Sequence, residues 1–385
     1  MPPKNSIRLC QLLGTKEPIW QAPMAGISTA RLAADVTNNG GLGALPLAMF
    51  DLRNPEGLKK LASTVDEFSR LVSSNRANTV NFNFFCHDVY STETPPSQVK
   101  NWWTLYKNSL KTLEDSLLSK IPFDNGNVSF KEIERDYPEE LTKLLDYLAE
   151  VKPKVISFHF GHPTKSTIER LQKEGIMVVV TTTSIEETKA LLDLGVDGLV
   201  CQGYEAGGHR GNFLVGKELD ENLSTFALFS QVQKYVASQN KDVFLIPAGG
   251  IMDASTIKYY LSLGAPAVQM GSIFLAAPET SSNGFVKKHV EGENNLTTTM
   301  IDLVSGKPAR TIKTKFIDSL IKNDKFERSE LPPYGHAYNA YKVLKGLVKD
   351  HDIGFYLAGQ NYHSLDPKLN TTEIIQKLSK ELAQD

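Results

Sequence analysis

Eight short apolar runs, each ending in small or polar residues, constrain the fold of this 385-residue chain more than any other feature. They lie near residues 18–23, 41–46, 79–85, 154–160, 176–182, 196–202, 243–248 and 266–271. Segments with helical periodicity separate most of them; one opens on Asp253 as an N-cap, and others close on Gly175 and Gly195. Continuously apolar strands that alternate with helices are typical of a parallel sheet covered on both faces. Eight such units predict a closed (β/α)8 barrel, the TIM-barrel fold.

The alternative fold is an open, doubly wound sheet, which is disfavoured because no G-x-G-x-x-G follows the first strand. Two stretches do not fit the strand–helix repeat, residues 87–150 and residues 290–385, and both are mostly helical in pattern. We therefore expect residues 1–86 and 151–290 to form the barrel. Residues 87–150 and 291–385 would form a smaller helical cap domain over one end of it.

The composition excludes several classes of function. A net charge of −2 gives no electrostatic case for binding nucleic acid or an anionic membrane, and no apolar run approaches the roughly 20 residues that cross a bilayer. Cys10, Cys86 and Cys201 match no metal-binding spacing, which favours a reduced intracellular protein without a bound metal. The N-terminus has no secretory apolar core, which predicts a cytoplasmic protein, with an organelle matrix as the alternative.

Glycine-rich loops follow the predicted strands, at the end of the barrel where active sites are built. Glycine lets backbone N–H groups approach a ligand closely. "IPAGGI" and "QMGS" lie at the ends of the seventh and eighth runs, where barrels of this type often bind phosphate. The N–H groups of Gly250, Gly271 and Ser272 are therefore candidates for holding a phosphate. The simpler interpretation of "AGG" is a tight turn between a strand and a helix.

Six motifs in order, "QAPMAG", "NFNFFCH", "SFHFGHP", "QGYEAGGHRG", "IPAGGI" and "QMGS", resemble those of the nitronate monooxygenases, formerly called 2-nitropropane dioxygenases. The forms "FHFG" and "GGHRG" resemble the class I branch, and the resemblance covers roughly residues 15–345. It implies an FMN-dependent (β/α)8 barrel with a small helical second domain, without a metal or a nicotinamide. It also implies oxidation of alkyl nitronates, notably propionate 3-nitronate, by O2.

The resemblance also implies which residues bind the FMN. They are Met24, Ala25, Gly26, Asn83, Gln202, Gly207, Gly250, Gln269, Met270, Gly271 and Ser272. Side-chain amides suit the mixed donors and acceptors of the isoalloxazine ring. Asn81 and Asn83 are two residues apart and therefore share a face of their strand, and the family pattern favours Asn83 as the one that faces the ligand.

Two histidines are candidates for the substrate side of the cofactor. His209 lies among the glycines of "EAGGHRG", and we expect it to project over the flavin as the catalytic residue. It would hydrogen-bond the nitro oxygens of an anionic nitronate, or act as a base on a neutral nitroalkane. His159 ends the fourth strand and resembles a second active-site histidine, so that both rings would form a cationic pocket. The alternative for His159 is a histidine that hydrogen-bonds the backbone.

Tyr334, Tyr338 and Lys342 resemble the class I residues that line the substrate side. Their i, i+4, i+8 spacing would place them along one stripe of a helix. Lys342 would pair with the carboxylate of propionate 3-nitronate, and the tyrosines would close the pocket. The alternative is a tyrosine stripe packed in a core, with a solvated lysine.

The function predicted from the sequence is oxidation of a nitronate by O2, through a flavin semiquinone, to an aldehyde or semialdehyde with nitrite and nitrate. The only partners expected are the nitronate and O2. An NAD(P)H-dependent flavin reductase, of the quinone or enoyl reductase type, is the alternative on the same barrel. A flavin-binding protein without turnover is a third possibility, which the polar loop around His209 disfavours.

Overall fold

The computed structural model describes residues 4–89, 93–214, 220–282, 284–292, 296–348 and 352–384. Its strands are β1 Ile19–Gln21, β2 Gly43–Pro46, β3 Val80–Phe85, β4 Val155–His159, β5 Met177–Thr182, β6 Gly198–Gln202, β7 Gly208–His209, β8 Phe244–Ala248, β9 Val268–Met270, β10 Thr298–Ile301 and β11 Ala309–Ile312. Its α-helices are α1 Lys4–Leu13, α2 Ala30–Asn38, α3 Pro55–Leu71, α4 Pro96–Ser109, α5 Phe130–Asp136, α6 Pro138–Val151, α7 Lys165–Lys173, α8 Ile185–Leu194, α9 Thr225–Ser238, α10 Ala254–Ser262, α11 Phe285–Glu291, α12 Lys315–Asn323, α13 His336–Leu347 and α14 Thr371–Leu382.

Eight parallel strands form a closed barrel, which confirms the predicted fold class. Neighbouring strands follow the order β1, β9, β8, β6, β5, β4, β3, β2. The first and last of these meet at a parallel bridge between Trp20 and Leu42. There the N–H of Gln21 donates to the carbonyl of Leu42, and the N–H of Leu42 donates to the carbonyl of Ile19, both at 2.9 Å. All eight predicted runs contain a barrel strand.

Side chains alternate between the barrel interior and the surrounding helices, as the period of two requires. The interior cluster includes Trp20, Leu42, Val155, Val179, Val200 and Ile246, and Leu9 and Leu13 of α1 pack into the same cluster. The Leu13 carbonyl accepts a hydrogen bond from Thr79, just before β3 begins. The helix α1 therefore covers the N-terminal end of the strands, and the opposite end is left for ligands.

The predicted helix boundaries in the barrel are present, and their caps explain them. Asp253 precedes α10, and its carboxylate accepts the N–H of Thr256 at 2.7 Å. Gly195 ends α8 with a left-handed φ of 78°, and Gly175 follows α7 with the same φ. Only glycine adopts this conformation without a steric penalty, which is why glycine marks these helix ends.

The cap has its own apolar cluster, but it is not built only of helices. The cluster joins Trp102 and Tyr106 of α4, Phe316 and Leu320 of α12, and Tyr341 of α13. Between these helices, β10, β11 and β7 form an antiparallel three-stranded sheet. The sequence pattern missed this sheet because its short strands do not belong to the strand–helix repeat, and β7 pairs with β11 about a hundred residues further along the chain.

Three helices within the segments expected to form the cap pack against the barrel. The Phe130 ring of α5 lies 5.5 Å from that of Phe84 on β3, between centroids. Leu144 and Leu148 of α6, together with Ile375 and Leu378 of α14, belong to the same apolar cluster as the helices around the barrel. The helix α6 immediately precedes β4, and α14 contacts α2 and α10. The expected assignment of 87–150 and 291–385 to the cap is therefore too broad at these three helices. Within the described residues, no helix is long and apolar enough to cross a bilayer.

Candidate functional site

A cleft opens at the C-terminal ends of the barrel strands, between the barrel and the cap. Most of the residues predicted to form the site line it. They are Met24, Ala25, Asn83, His159, Gln202, Gly207, His209, Gly250, Gln269, Met270, Gly271, Ser272 and Tyr338. Gly26, Tyr334 and Lys342 are not part of the lining; Gly26 is an exposed neighbour of Ala25. The barrel side of this cleft, which we call the floor, is built differently from the cap side, which we call the roof.

Backbone close to the ligand space makes up the floor, because glycines occupy the loops after β8 and β9. Gly249 and Gly250 take φ angles of 126° and 72°, which side chains with a Cβ rarely adopt. Gly271 follows β9 and precedes a short 3-10 helix, Ser272–Phe274. A Cβ on Gly271 would lie 3.2 Å from the Cβ of Ala22, in the loop after β1. The floor therefore presents main-chain groups at these glycines, and a side chain at Gly271 would crowd Ala22.

Two further floor residues come from the C-terminal region, and sequence reasoning missed them. The N–H of Gly359 donates to the Ser272 hydroxyl at 2.8 Å. The Asn361 amide donates to the Gly250 carbonyl at 2.9 Å. Both residues line the cleft beside the loops after β8 and β9. The only sequence signal is the short stretch "YLAGQN", a glycine after an apolar run and almost ninety residues beyond the last barrel strand.

The two asparagines of β3 lie at different depths. Asn83 lines the cleft, and its amide donates to the Ser157 hydroxyl at 2.9 Å. Asn81 is buried deeper in the barrel, where neither atom of its amide finds a hydrogen-bond partner among the described residues. The choice of Asn83 over Asn81 as the ligand-facing residue is consistent with this arrangement.

His209 extends from the small antiparallel sheet into an aromatic enclosure. It lies on β7 opposite Ala309 of β11. Its ring centroid is 5.5 Å from that of Tyr334, 5.7 Å from that of Tyr338 and 6.2 Å from that of Phe355. These four side chains, with Phe160, form the roof.

Phe160 is a roof residue that the sequence did not single out. Its ring lies 4.5 Å from that of His159 and 5.7 Å from that of His209, between centroids. Its backbone has a φ of 69°, in the left-handed region that a bulky residue adopts only when the surrounding packing holds it there. Packing against both histidines thus holds Phe160 in this strained backbone conformation.

A buried ion pair anchors the loop that carries His209. Arg210 makes two hydrogen bonds to the Asp220 carboxylate, at 2.6 and 2.9 Å, and a third to the Gln202 carbonyl at 2.6 Å. The Arg210 side chain is 1% exposed. The guanidinium holds the pKa of Asp220 below its usual range, against the opposing effect of burial. Arg210 therefore fixes the position of the residue beside it, His209.

His159 and Gln202 support the same loop from below. The His159 ring donates from Nε2 to the His209 carbonyl at 3.1 Å, and its Nδ1 accepts from the Thr181 hydroxyl at 3.0 Å. Gln202 donates to that carbonyl at 3.0 Å and accepts from the N–H of Gly211 at 2.7 Å. Both ring nitrogens of His159 are thus occupied by protein. This geometry matches the backbone-bonding alternative rather than direct binding of substrate.

The two histidines do not form the expected cationic pocket. Burial lowers the pKa of His159 to about 4 and that of His209 to about 3, and the neighbouring cation Lys307 adds to both shifts. Both rings are therefore neutral near pH 7. Two ammonium groups lie against roof rings, Lys307 at 5.0 Å from the centre of Phe160 and Lys342 beside Tyr338.

The predicted stripe of Tyr334, Tyr338 and Lys342 is only partly helical. Tyr334 lies in a turn before α13, which begins at His336, so only Tyr338 and Lys342 share a helix face. Tyr334 nevertheless reaches His209 from that turn. Lys342 is exposed; its ammonium lies 4.3 Å from the centre of the Tyr338 ring and donates to the Asn127 side chain at 3.1 Å. The expected residues are brought together at the roof, with Lys342 at its outer edge.

Comparison with known proteins identifies the family. The family model described as nitronate monooxygenase matches residues 6–76 and 107–381. This chain belongs to the nitronate monooxygenase family.

Relatives within this family match nearly the whole chain. A putative nitronate monooxygenase of Saccharomyces cerevisiae is 42% identical over 97% of this chain and 92% of its own length. A nitronate monooxygenase of Pseudomonas aeruginosa is 34% identical over 97% and 99%. The crystal structure of a nitroalkane oxidase from Streptomyces ansochromogenes superimposes with a TM-score of 0.78 at 26% identity, covering 98% of both chains. Membership of the nitronate monooxygenase family confirms the resemblance drawn from the six motifs and makes this protein an oxidoreductase.

Proposed function

We propose that this protein is an FMN-dependent enzyme that oxidises alkyl nitronates with O2. The observation that carries the proposal is the position of His209. Its imidazole is neutral and stands on a loop that four hydrogen bonds fix to Gln202 and His159. It lies across from a floor made of glycine backbone, in a chain of the nitronate monooxygenase family. No metal or nicotinamide is part of the proposal, and its only partners are the nitronate and O2.

The residues of the floor fit a flavin mononucleotide. The N–H groups around Gly250, Gly271 and Ser272 are suited to a phosphate, since backbone amides bind anions without a lysine. The Glu205 side chain lies beside Gly250, but its carboxylate is engaged elsewhere: it accepts hydrogen bonds from the N–H of Thr225 at 2.8 Å and from the Thr225 hydroxyl at 3.0 Å. Glu205 therefore caps α9 rather than repelling an anion in the cleft.

The ring of the flavin would lie among the side chains at the other end of the floor. The loop Met24–Gly26 would pass beside it, and the amides of Asn83 and Gln269 would meet its polar edge. When bound, the flavin would supply the redox chemistry by accepting electrons from the nitronate and passing them to O2. The protein would contribute binding, orientation and exclusion of water.

The roof would orient the nitronate and keep water from it. Of the roof side chains, His209 and Tyr338 line the cleft. The rings of Tyr334, Phe160 and Phe355 pack around His209 and make its surroundings apolar. Burial raises the pKa of Tyr338 to about 12. Its hydroxyl therefore stays protonated and can donate a hydrogen bond to the oxygens of the substrate. His209 would face the substrate from the same side.

The specific substrate that we propose is propionate 3-nitronate. Lys342, exposed at the outer edge of the roof, would exchange its contact with Asn127 for the carboxylate of this substrate. The products would be the semialdehyde with nitrite and nitrate.

Oxygen consumption tests the proposal. Purified holoprotein is mixed with propionate 3-nitronate in air, and O2 uptake and nitrite formation are followed together. We expect both signals to depend on the nitronate and on bound flavin, and neither to need NADPH. O2 uptake that requires NADPH and ignores the nitronate would replace the proposal with the flavin reductase alternative.

A further inference from the structure

Among the described residues, Ser305 makes the one hydrogen-bond contact with the His209 ring. The Ser305 hydroxyl oxygen is 2.8 Å from His209 Nε2. Ser305 is fully buried in the segment that precedes β11, almost a hundred residues from His209 in the chain. Within the described residues, no hydrogen bond engages the other ring nitrogen, Nδ1. The ring is therefore held at one nitrogen and open at the other.

The direction of the Ser305 hydrogen bond follows from its other contacts. The hydroxyl is 3.1 Å from the Lys307 carbonyl oxygen, which can only accept a hydrogen bond. No other donor in the described part of the chain reaches the Lys307 carbonyl, so the Ser305 hydroxyl is the group that donates to it. A serine hydroxyl has a single proton, so donation to Lys307 leaves its lone pairs for the histidine and for the N–H of Lys307 at 3.5 Å.

We propose that Ser305 is a positioning residue that holds His209 as the tautomer with its proton on Nε2, leaving the lone pair of Nδ1 for the substrate. The ring is neutral at working pH, because burial lowers the pKa of His209 to about 3, so only one nitrogen carries a proton. The N–H at Nε2 donates its hydrogen bond to the Ser305 hydroxyl oxygen. Nothing in the described residues favours a proton on Nδ1.

This tautomer determines what His209 can do at the substrate. An Nδ1 with a lone pair accepts a proton but donates no hydrogen bond to an anion. His209 would thus take the α-proton of a neutral nitroalkane, forming the nitronate and an imidazolium whose Nε2–H still bonds Ser305. The C–H electron pair moves into the C=N bond of the nitronate, so the step needs no further reactant. The inference rests on the proposed function because it names the ring nitrogen that serves the same site.

Nitrogen NMR of the holoprotein tests the tautomer without reference to activity. The chain has 8 histidines, so the protein is labelled with ¹⁵N-histidine and His209 is assigned by its absence in His209→Asn. We expect a protonated Nε2 and an unprotonated Nδ1 in the wild type. A proton on Nδ1, or an equal mixture of tautomers, would overturn the inference even if nitronate oxidation is established. Failure to oxidise nitronates with the expected tautomer in place would overturn the proposed function instead.

Variants of Ser305 add a kinetic test with nitroethane and its preformed nitronate as paired substrates. We expect Ser305→Ala to lower kcat/KM for neutral nitroethane about 10-fold or more, since general base catalysis depends on a correctly placed lone pair. Oxidation of the nitronate should change less than about 3-fold, because that reaction needs no proton transfer. Ser305→Thr keeps the hydroxyl and should restore the use of nitroethane. Equal losses with both substrates in Ser305→Ala would indicate a merely structural role and contradict the proposal.

A matched control removes a hydroxyl elsewhere in the cap. Ser319 on α12 donates to the Ser109 carbonyl at 3.2 Å and has no contact with the roof. Ser319→Ala should leave the ratio of the two activities at the wild-type value. A shift in that ratio would show that the measurement responds to general loosening of the cap, which would remove the support from the Ser305 result.

Discussion

The floor and the roof of the cleft differ in the groups that they present to a ligand. The floor presents main-chain groups from Gly250, Gly271 and Gly359, with side chains held back. The roof presents side chains, of which His209 and Tyr338 are the centre, and relies on the cap to place them. A backbone floor is insensitive to most substitutions but cannot accept a Cβ at a close approach. Most single substitutions in the roof should leave the fold unchanged, but replacement of His209 should remove the chemistry that we propose for it.

Replacing His209 should have the largest effect on turnover. His209→Asn keeps a polar side chain on β7 but removes the imidazole, so we expect kcat with neutral nitroalkanes to fall about 10²- to 10⁴-fold. Flavin content, measured by visible absorbance per protein, should be unchanged because the floor is intact. His289→Asn, on the remote helix α11, is the control and should retain wild-type turnover. If His209→Asn loses the flavin, the separation between floor and roof is wrong.

Adding one methyl group to the floor should act on flavin rather than on chemistry. A Cβ at Gly207 would lie 2.5 Å from the backbone of Ala358 and Gly359 and would push that segment away from the cleft. We expect Gly207→Ala to weaken flavin binding about 10- to 100-fold, equivalent to about 1.4–2.8 kcal/mol, in a titration of the apoprotein. Gly346→Ala, where a Cβ meets nothing within 4 Å, should bind flavin normally. Normal flavin affinity in Gly207→Ala would show that this segment does not frame the site.

Acid should lower the unfolding free energy of the protein through the buried histidines in the roof and beside it. Burial lowers the pKa of His87, which packs edge-on against Tyr334, to about 3. Below pH 6.5 the unfolded chain binds protons that the folded chain excludes, so stability falls as the pH falls from 6.5 towards about 3. Each such histidine costs up to about 1.4 kcal/mol per pH unit in this window.

The variant His87→Phe removes one of these groups and keeps an aromatic ring beside Tyr334. Chemical denaturation at pH 7 and pH 5 should show a smaller loss of unfolding free energy for the variant than for the wild type. The same pH dependence in both proteins would mean that the His87 ring is not held neutral.

The smallest effect should come from the outer edge of the roof. Lys342→Met should raise KM for propionate 3-nitronate about 5-fold, because an exposed ion pair contributes about 1 kcal/mol. KM for ethyl nitronate, which has no carboxylate, should not change. Lys345→Met, on the exposed face of the same helix, is the control. Equal changes in KM for both substrates would remove Lys342 from substrate recognition.

The sequence predicted the barrel and most of the floor because both are encoded locally. Each strand is a short apolar run, and each floor glycine of β8 and β9 follows its strand within three residues. Gly359 and Asn361 escaped prediction because they reach the floor from the C-terminal region. No periodicity links them to the strands that they complete.

The roof could be predicted only in part, for the same physical reason. His209 was recognised from its glycine-rich loop, but its contacts with Ser305 and Tyr334 join segments about a hundred residues apart. Tyr334 was expected on a helix because its spacing to Tyr338 fits one, whereas a turn at Gly335, with a φ of 91°, starts the helix later. Contacts of this kind depend on how the cap sits on the barrel, which local patterns do not encode.

An anaerobic absorption titration tests most directly whether the floor binds a flavin and the roof serves a nitronate. Purified holoprotein, yellow if the floor holds flavin, is mixed without O2 first with NADPH and then with propionate 3-nitronate. We predict that NADPH leaves the flavin spectrum unchanged and that the nitronate alters it within the mixing time. Rapid bleaching by NADPH with no response to the nitronate, or a colourless protein that takes up no FMN, would contradict the account.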